Sequence, residues 1–516
     1  MDEPPKSLSA TVARGVGLAG AGYFLTRALT LGSYLVLARL ASPEEFGQLA
    51  AGGIVVGVGL LFTDSGMLAA VIHRRDRVEE AAATAVVATV ASGFGFGLLA
   101  LALSPVVGDF FDSETIAAVA AAMAGVLFLR SLPIVPAAIL QRRFSFLRRL
   151  VADPASAVAF GVVAVVATAE GMGVWGLVLG HYASAITEVL SSWGLARWRP
   201  NMRLASVGMW RELVGYGRHV FVSAAILRAG DQIPAALIGR FIGTGALGQF
   251  RYAARISDTA FAMLLSAGSY VLFPAFARIA PEPDRFRGAF VRALRLMATL
   301  AFPAGLLLVP LGEPAAILIF GDVWAEAGRA AMALCLFTAG RAIVSIVSEG
   351  LKASGRPRLL VRLHAFEVIA ATIAMVALLP FGLVGVAAGV SIGTAAGAGY
   401  ALRLAAVSFA IGGRTLFAVL WVPLAAAAIT ATVVFALERL LIDAASHGTG
   451  AGLALLAAEL LVAALTYLAL LRVLAPTVVD ELRGMLAKMR TRSQPPSDRV
   501  VEDLTPDPLS DPISSP

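Results

Sequence analysis

The chain has 516 residues, 58% of them hydrophobic and 15% charged, with a mean hydropathy of +0.82. A soluble domain is nearer half apolar and a quarter charged, so this composition excludes an ordinary soluble enzyme or binding module and describes a polytopic membrane protein. The net charge of +7 fits basic cytoplasmic loops rather than a nucleic-acid partner, and the single cysteine, Cys335, excludes an internal disulfide and a cysteine-based metal site.

In chain order, the start MDEPPKSLSATVAR lacks the pattern of a cleaved signal peptide. A membrane helix needs roughly 20 apolar residues. On that criterion the chain is expected to cross the membrane about fourteen times, near 16–38, 47–71, 81–107, 115–138, 150–169, 173–195, 216–239, 247–274, 289–311, 325–349, 358–380, 382–408, 414–438 and 450–473. Alternate connections, such as HRRDRVEE, LQRRFSFLRR and LKASGRPRLLVRLH, are rich in arginine, and the others, such as SPVVGDFFDSET and LLPFG, are poor in it. This bias places both termini in the cytoplasm and leaves only short loops outside. The segment SVGMWRELVGYG, in the longest connection (197–215), reads as a helix lying at the interface. After the last span, residues 476–490 read as an amphipathic helix at the lipid surface. The Pro-, Ser- and Asp-rich stretch 491–516 reads as a disordered tail.

One stretch occurs twice. LARLASPEEFGQL (37–49) and IGRFIGTGALGQF (238–250) each place an arginine, Arg39 or Arg240, eight positions before a Gly-Gln pair. GMGVWGLVLG (171–180) and PFGLVGVAAG (380–389) repeat in the same order, at an offset of 209 residues against 201 for the first pair. Duplicated halves in membrane transporters flank a central site. The division is then 1–15 as a cytoplasmic start, 16–196 as a first lobe, 197–215 as a connection, 216–408 as a second lobe and 409–475 as two further spans.

Ionisable residues inside the spans are the sharpest functional signal, because a charge at the bilayer centre costs about 2.5–3.5 kcal/mol on insertion scales. Arg27, Arg228, Arg255 and Arg341 are the candidates for a cationic cavity, and guanidinium suits phosphate through its paired donors. Asp64, Asp231, Asp258, Glu349 and Glu367 are weaker candidates for ion coupling, or they only pair with arginine. Arg228 with Asp231 and Arg255 with Asp258 have the i, i+3 spacing for internal pairing. The five histidines lack metal-ligand spacing, and His181 reads as packed or interfacial. No G-x-x-x-x-G-K-[ST] is present, so no cofactor is expected and the chain carries no ATPase motif.

The segments LARLASPEEFGQLA, LLFTDSGMLAAVIHRRDRVEEAA, GDQIPAALIGRFIGTGALGQFRYAARI and VLFPAFARI resemble the starts of the two halves of Wzx-type polysaccharide flippases. The nearest branch resembles the colanic-acid-type lipopolysaccharide and exopolysaccharide translocases. Two positions depart from the pattern: Gln232 stands where an aromatic often follows the acid, and Ser42 stands in place of the usual glycine, so substrate identity is not carried over. The resemblance implies the all-α MOP-superfamily fold, with two six-helix lobes around a central cavity and two further helices. It implies a non-enzymatic flippase in the bacterial cytoplasmic membrane, moving a polyprenyl-diphosphate-linked oligosaccharide by alternating access. Its implied partners are the lipid-linked oligosaccharide, membrane lipids, and a polysaccharide polymerase with export machinery. A multidrug/cation antiporter of the same superfamily is the alternative. A membrane-embedded polymerase or glycosyltransferase is disfavoured by the short outward loops.

Overall fold

A computed structural model describes residues 8–64, 67, 71, 76–142 and 148–476, with helix side chains left undescribed at 8–19, 21, 64, 148–149, 215–220, 223 and 258–275. The proposed amphipathic helix at 476–490 and the tail at 491–516 lie outside the described residues, except for Pro476. The described residues form helices and no strand. In order these are α1 Leu8–Leu40, α2 Pro43–Gly52, α3 Ile54–Asp64, α4 Val78–Phe111, α5 Glu114–Ser131, α6 Ile134–Arg142, α7 Asp153–Ala169 and α8 Val174–Ala196. Then come α9 Val207–Gly230, α10 Ile233–Phe241, α11 Thr244–Ile279, α12 Pro283–Leu306, α13 Leu308–Phe320, α14 Ala325–Ala333, α15 Cys335–Ala353, α16 Arg358–Leu378, α17 Gly382–Phe409, α18 Gly413–Leu437 and α19 Thr449–Leu474.

Helix falls on every span read from the sequence. Among the described residues, 7 helices are long and apolar enough to cross a membrane on their own, and up to 9 if each of two bent pairs is one span. One bent pair is α2 with α3, at 42°, and the other joins residues 322–333 to α15, at 47°. The segment read as an interfacial helix is instead the first half of α9, with Met209 and Leu213 buried against α4 and α6 residues such as Ala85 and Val135. Ser206 caps it by accepting from Met209 N at 3.1 Å.

The chain packs as two groups with a hairpin attached. In the first group α1 lies on α7, α4 on α5, and α7 on α8. In the second, α16 lies on α17, and α15 packs against both α12 and α17. The hairpin α18–α19 covers α12, where the Tyr467 hydroxyl donates to Thr299 O at 2.7 Å. Large apolar side chains such as Leu98, Ile373, Val407 and Leu465 point outward, as they do when lipid rather than water surrounds the protein.

Small residues make the helix contacts. On α17, Gly385, Gly389, Gly393 and Gly397 recur every four residues and so share one face, the face turned to α16. A Cβ on Gly393 would stand 2.2 Å from Ala371 Cα, whereas one on Gly399 would meet nothing within 4 Å. Gly393→Leu is therefore expected to destabilise the fold by about 1–3 kcal/mol or more. Gly399→Leu is the matched control, and thermal unfolding in detergent should separate the two.

Candidate functional site

The repeated stretch joins the two groups. Ser42 and Glu45 form a capping box that starts α2: Ser42 Oγ accepts from Glu45 N at 3.3 Å, and Glu45 Oε2 accepts from Ser42 N at 2.7 Å. The equivalent helix in the second copy, α11, starts at Thr244. The two helices cross at the glycines of the repeat. A Cβ on Gly47 would stand 1.8 Å from Thr244 O, and one on Gly248 would stand 1.8 Å from Pro43 O. No residue but glycine permits this approach.

The repeated arginines cross in opposite directions. Arg39 Nη2 donates to Leu318 O at 3.2 Å and Ile319 O at 3.3 Å, in the second group. Arg240 pairs with Asp112, in the first. Thr244 Oγ1 also donates to Glu44 across the crossing. Behind these lie the rings of Tyr34, Phe46, Tyr252 and Trp324, with Tyr252 and Trp324 centroids 4.0 Å apart. Trp324 Nε1 donates to Ala38 O at 2.9 Å, and the Tyr252 hydroxyl donates to Tyr34 O at 3.0 Å. One end of the molecule is thus clasped by backbone contact, two reciprocal arginines and a buried aromatic cluster.

The second repeat pair behaves alike in both copies. Gly176 packs on Thr168 at the end of α7, and Gly385 packs on Leu378 at the end of α16. The repeat read from the sequence is therefore a repeat of packing.

The charged side chains line two cavities. The first, of about 280 Å³, lies in the second group. Pro234 has no N–H to offer the carbonyl of residue 230, so the helix breaks between α9 and α10. Asp231 and Gln232 sit at that break and line the cavity, as do Arg228, Arg251, Arg341 and Glu367. Arg341 Nη1 lies 3.5 Å from Asp231 Oδ1, and Arg228 Nη1 lies 3.9 Å from Asp231 Oδ2. Arg251 Nη2 donates to Gln232 Oε1 at 3.2 Å. Glu367 is buried, with its Oε2 3.4 Å from His364 Nδ1. Among the described residues of this lining, three arginines stand against two acids.

The second cavity, of about 350 Å³, lies in the first group, among α1, α5, α7 and α8. Arg27, Arg130, Asp153, His181 and Glu188 line it. Arg27 Nε is buried with no hydrogen-bond partner among the described residues. Tyr34 also lines this cavity, and the Arg255 guanidinium, from α11 of the second group, lies 3.2 Å from its ring centroid. Arg251 and Arg255, one turn apart on α11, thus belong one to each cavity region.

Of the nine residues singled out in the sequence, Arg228, Asp231, Arg341 and Glu367 come together, Arg27 lines the other cavity, and Arg255 lies at the seam. Glu349 lies apart from both, paired with Lys352 Nζ at 2.9 Å. The side chains of Asp64 and Asp258 fall outside the described residues. Arg130, Asp153, Glu188 and Arg251 were missed, although all four lie within the predicted spans and the rule that found Arg27 applies to them equally. His181, read as packed or interfacial, lines the first-group cavity.

A family model described as polysaccharide biosynthesis protein matches residues 36–329, more than half of the chain. The chain belongs to that family. Among curated members, it is 28% identical to the succinoglycan biosynthesis transport protein ExoT of Rhizobium meliloti (strain 1021), over 61% of this chain and 64% of that one. It is 21% identical to the lipopolysaccharide biosynthesis protein WzxC of Escherichia coli (strain K12), over 64% of this chain and 68% of that one. The first match thus spans slightly less than two thirds of the relative's length. Among solved structures, the lipid II flippase MurJ in an inward closed conformation superposes with a TM-score of 0.70 at 13% identity, covering 90% of this chain and 99% of that one. An inward-facing multidrug resistance MATE family transporter of the MOP superfamily gives 0.60 at 16% identity, covering 75% and 94%. The chain is a multi-pass membrane protein with the fold of those transporters.

Proposed function

We propose that this family member is a flippase and not an enzyme, carrying a polyprenyl-diphosphate-linked oligosaccharide across the bacterial cytoplasmic membrane. The observation that carries this reading is the pairing of an arginine-rich cavity with a closed clasp at one end, in a chain whose outer surface is apolar. The names of the curated relatives support the substrate class. The chain crosses the membrane fourteen times with both termini in the cytoplasm, so the clasped end faces outward and the cavities load from inside. Residues 16–196 and 216–408 are the moving lobes, 409–475 an accessory pair of spans, and 476–490 a helix at the lipid surface.

The diphosphate is held by Arg228, Arg251 and Arg341, with Arg27 and Arg255 meeting it as the lobes rock. The head group leaves when the clasp opens, and the polyprenyl chain stays in the bilayer throughout. An ion gradient or the membrane potential drives the cycle, with Asp231 and Glu367 the acids best placed to respond. Asp64, Asp258 and Glu349 remain more distant candidates for that role. A polysaccharide polymerase and export machinery take up the product.

Purified protein in liposomes with a fluorescent polyprenyl-diphosphate oligosaccharide tests this, read as protection from a membrane-impermeant quencher. Arg27→Ala is expected to slow translocation roughly 10- to 100-fold, the loss of one charge-assisted contact. Normal transport by folded Arg27→Ala would remove Arg27 from the path. Efflux of an organic cation under a proton gradient, with no flipping, would establish the antiporter reading instead.

A further inference from the structure

The hairpin α18–α19 holds the most deeply buried acid among the described residues, and neither cavity uses it. Glu459 stands ten residues past Thr449 and fifteen before Leu474 on α19, with 1% of its surface exposed. Neither of its carboxyl oxygens has a hydrogen-bond donor among the described residues. Glu438, in the wide turn that follows α18, is buried too. Both of its oxygens accept from Ala444 N, at 3.1 and 3.2 Å. The two side chains meet within hydrogen-bonding reach of each other. An ionised carboxylate only accepts, so two of them in contact have no bond to make. One proton between them supplies the missing donor.

The surroundings offer no other compensation. The Tyr467 hydroxyl donates to Thr299 O, and a Cβ on Gly452 would stand 2.5 Å from Leu318, so α19 runs antiparallel to the stretch 299–318. Glu459 lies between those two contacts, and the one charge on that stretch is Glu313. Arg439, next to Glu438, is turned to Glu313 at 3.4 Å, and Arg329 reaches Glu313 at 3.9 Å. In the loop, Asp443 and His447 are exposed, with His447 Nδ1 3.1 Å from Asp443 O. Arg414 and Arg472, the other charges on α18 and α19, stand at the opposite end of the hairpin. Burying a carboxylate that has no donor costs far more than carrying a proton in with it, and two carboxyls that share a site do not both ionise. A metal ion would also cancel the charge, but among the described residues no three ligating side chains gather.

We propose that Glu438 and Glu459 form a binding site for one exchangeable proton, separate from both cavities, that holds the loop end of the hairpin closed onto α13. Glu438 keeps its charge against Ala444 N, and Glu459 carries the proton and donates it to Glu438. When the proton leaves to water past the exposed loop, two like charges face each other and only Glu438 keeps a donor. The two helices are then pushed apart. This goes beyond the flippase reading and does not rest on it: the hairpin responds to protons whatever the cavities carry.

The test uses the full chain. In nanodiscs at neutral pH, infrared spectra are expected to show the carbonyl stretch of a protonated carboxyl, which moves in heavy water and fades as the pH is raised. Glu459→Gln should remove that band, since its amide has the same shape and donates to Glu438 without a proton. Glu438→Gln should shift the band and not remove it, because a neutral acceptor makes a weaker bond than a carboxylate. Unfolding in detergent is the second readout. The native chain holds a proton here that the unfolded chain releases, so this site makes stability fall as pH rises, with a slope of about one proton. In Glu459→Gln the slope should be about one proton smaller. Equal slopes, or a band that survives Glu459→Gln, overturn the proposal. So does a wild type with no carboxyl band that fades as the pH is raised, a result that needs no variant to fold. Stability that rises with sodium over choline at fixed pH, with no such band, would make the pair a sodium site and overturn the proton.

Discussion

Gly248→Val is expected to open the clasped end and stop transport. Its Cβ would stand 1.8 Å from Pro43 O, about half an ordinary carbon–oxygen contact distance. The obstacle is backbone, not a flexible side-chain tip, so the relief available is separation of α2 from α11. Overpacking costs about 1–3 kcal/mol and at times more, and each 1.4 kcal/mol shifts a two-state balance about tenfold. The populations of the closed and open states should therefore shift by roughly 10- to 100-fold. Gly47→Val should act alike, since its Cβ meets Thr244 O at 1.8 Å. By contrast Arg240→Ala removes a pair in which Asp112 is largely exposed, and such pairs contribute about 0–1 kcal/mol. The glycines hold the gate more firmly than the arginines do. The measurement is labelling of Thr30→Cys, in a Cys335→Ser background, by an impermeant maleimide added outside intact cells. Protection without Gly248→Val and labelling with it is the expected pattern. A folded Gly248→Val protein that stays protected and transports normally would show that the crossing is not the gate.

Arg341→Ala is expected to lower transport about 100-fold, and its partner Asp231 allows the cause to be separated. Arg341 links α15 to the end of α9 through Asp231, at 3.5 Å, and lies 5.2 Å from the Phe337 ring centroid. Removing it leaves Asp231 with Arg228, a longer and more exposed contact at 3.9 Å. Part of the loss is therefore stability: the pair is only partly buried, so the effect falls well short of the about 3–5 kcal/mol seen when a fully buried pair is broken. The double variant Arg341→Ala/Asp231→Asn removes the stranded charge. Unfolding in detergent should recover in that variant. Transport should not recover if Arg341 grips the diphosphate. Recovery of both would assign Arg341 a structural role alone.

The helices and the repeat were legible because both are written locally. A run of apolar residues crosses a membrane whatever its neighbours are, and the Gly-Gln segments repeat in sequence as they do in space. What the repeat does was not legible. The crossing of Gly47 with Gly248 joins residues 201 positions apart, and nothing local marks a backbone contact. The same limit governs the charges. The i, i+3 spacing correctly pairs Arg228 with Asp231, yet the closer partner is Arg341, brought in by the packing of α15. The extended reach of α9 was also hidden. SVGMWRELVGYG is mixed enough to read as an interfacial segment, and only the unbroken helix Val207–Gly230, with Met209 and Leu213 buried, shows it to be the foot of a longer helix. Arg130, Asp153 and Glu188 lie within spans and fall under the same rule as Arg27, but nothing local marks them as neighbours. In the folded chain the three meet around one cavity.

The crossing at Gly47 and Gly248 also bears on electrical insulation. A passage wide enough for a sugar would short-circuit the membrane if both ends stood ajar together. A gap of about 0.5–1 Å between close-packed atoms forfeits about a quarter to a half of their contact energy, so this seal weakens steeply as the two helices part. In the proposed flippase cycle, such a seal would keep an ion gradient from draining while a large polar cargo enters.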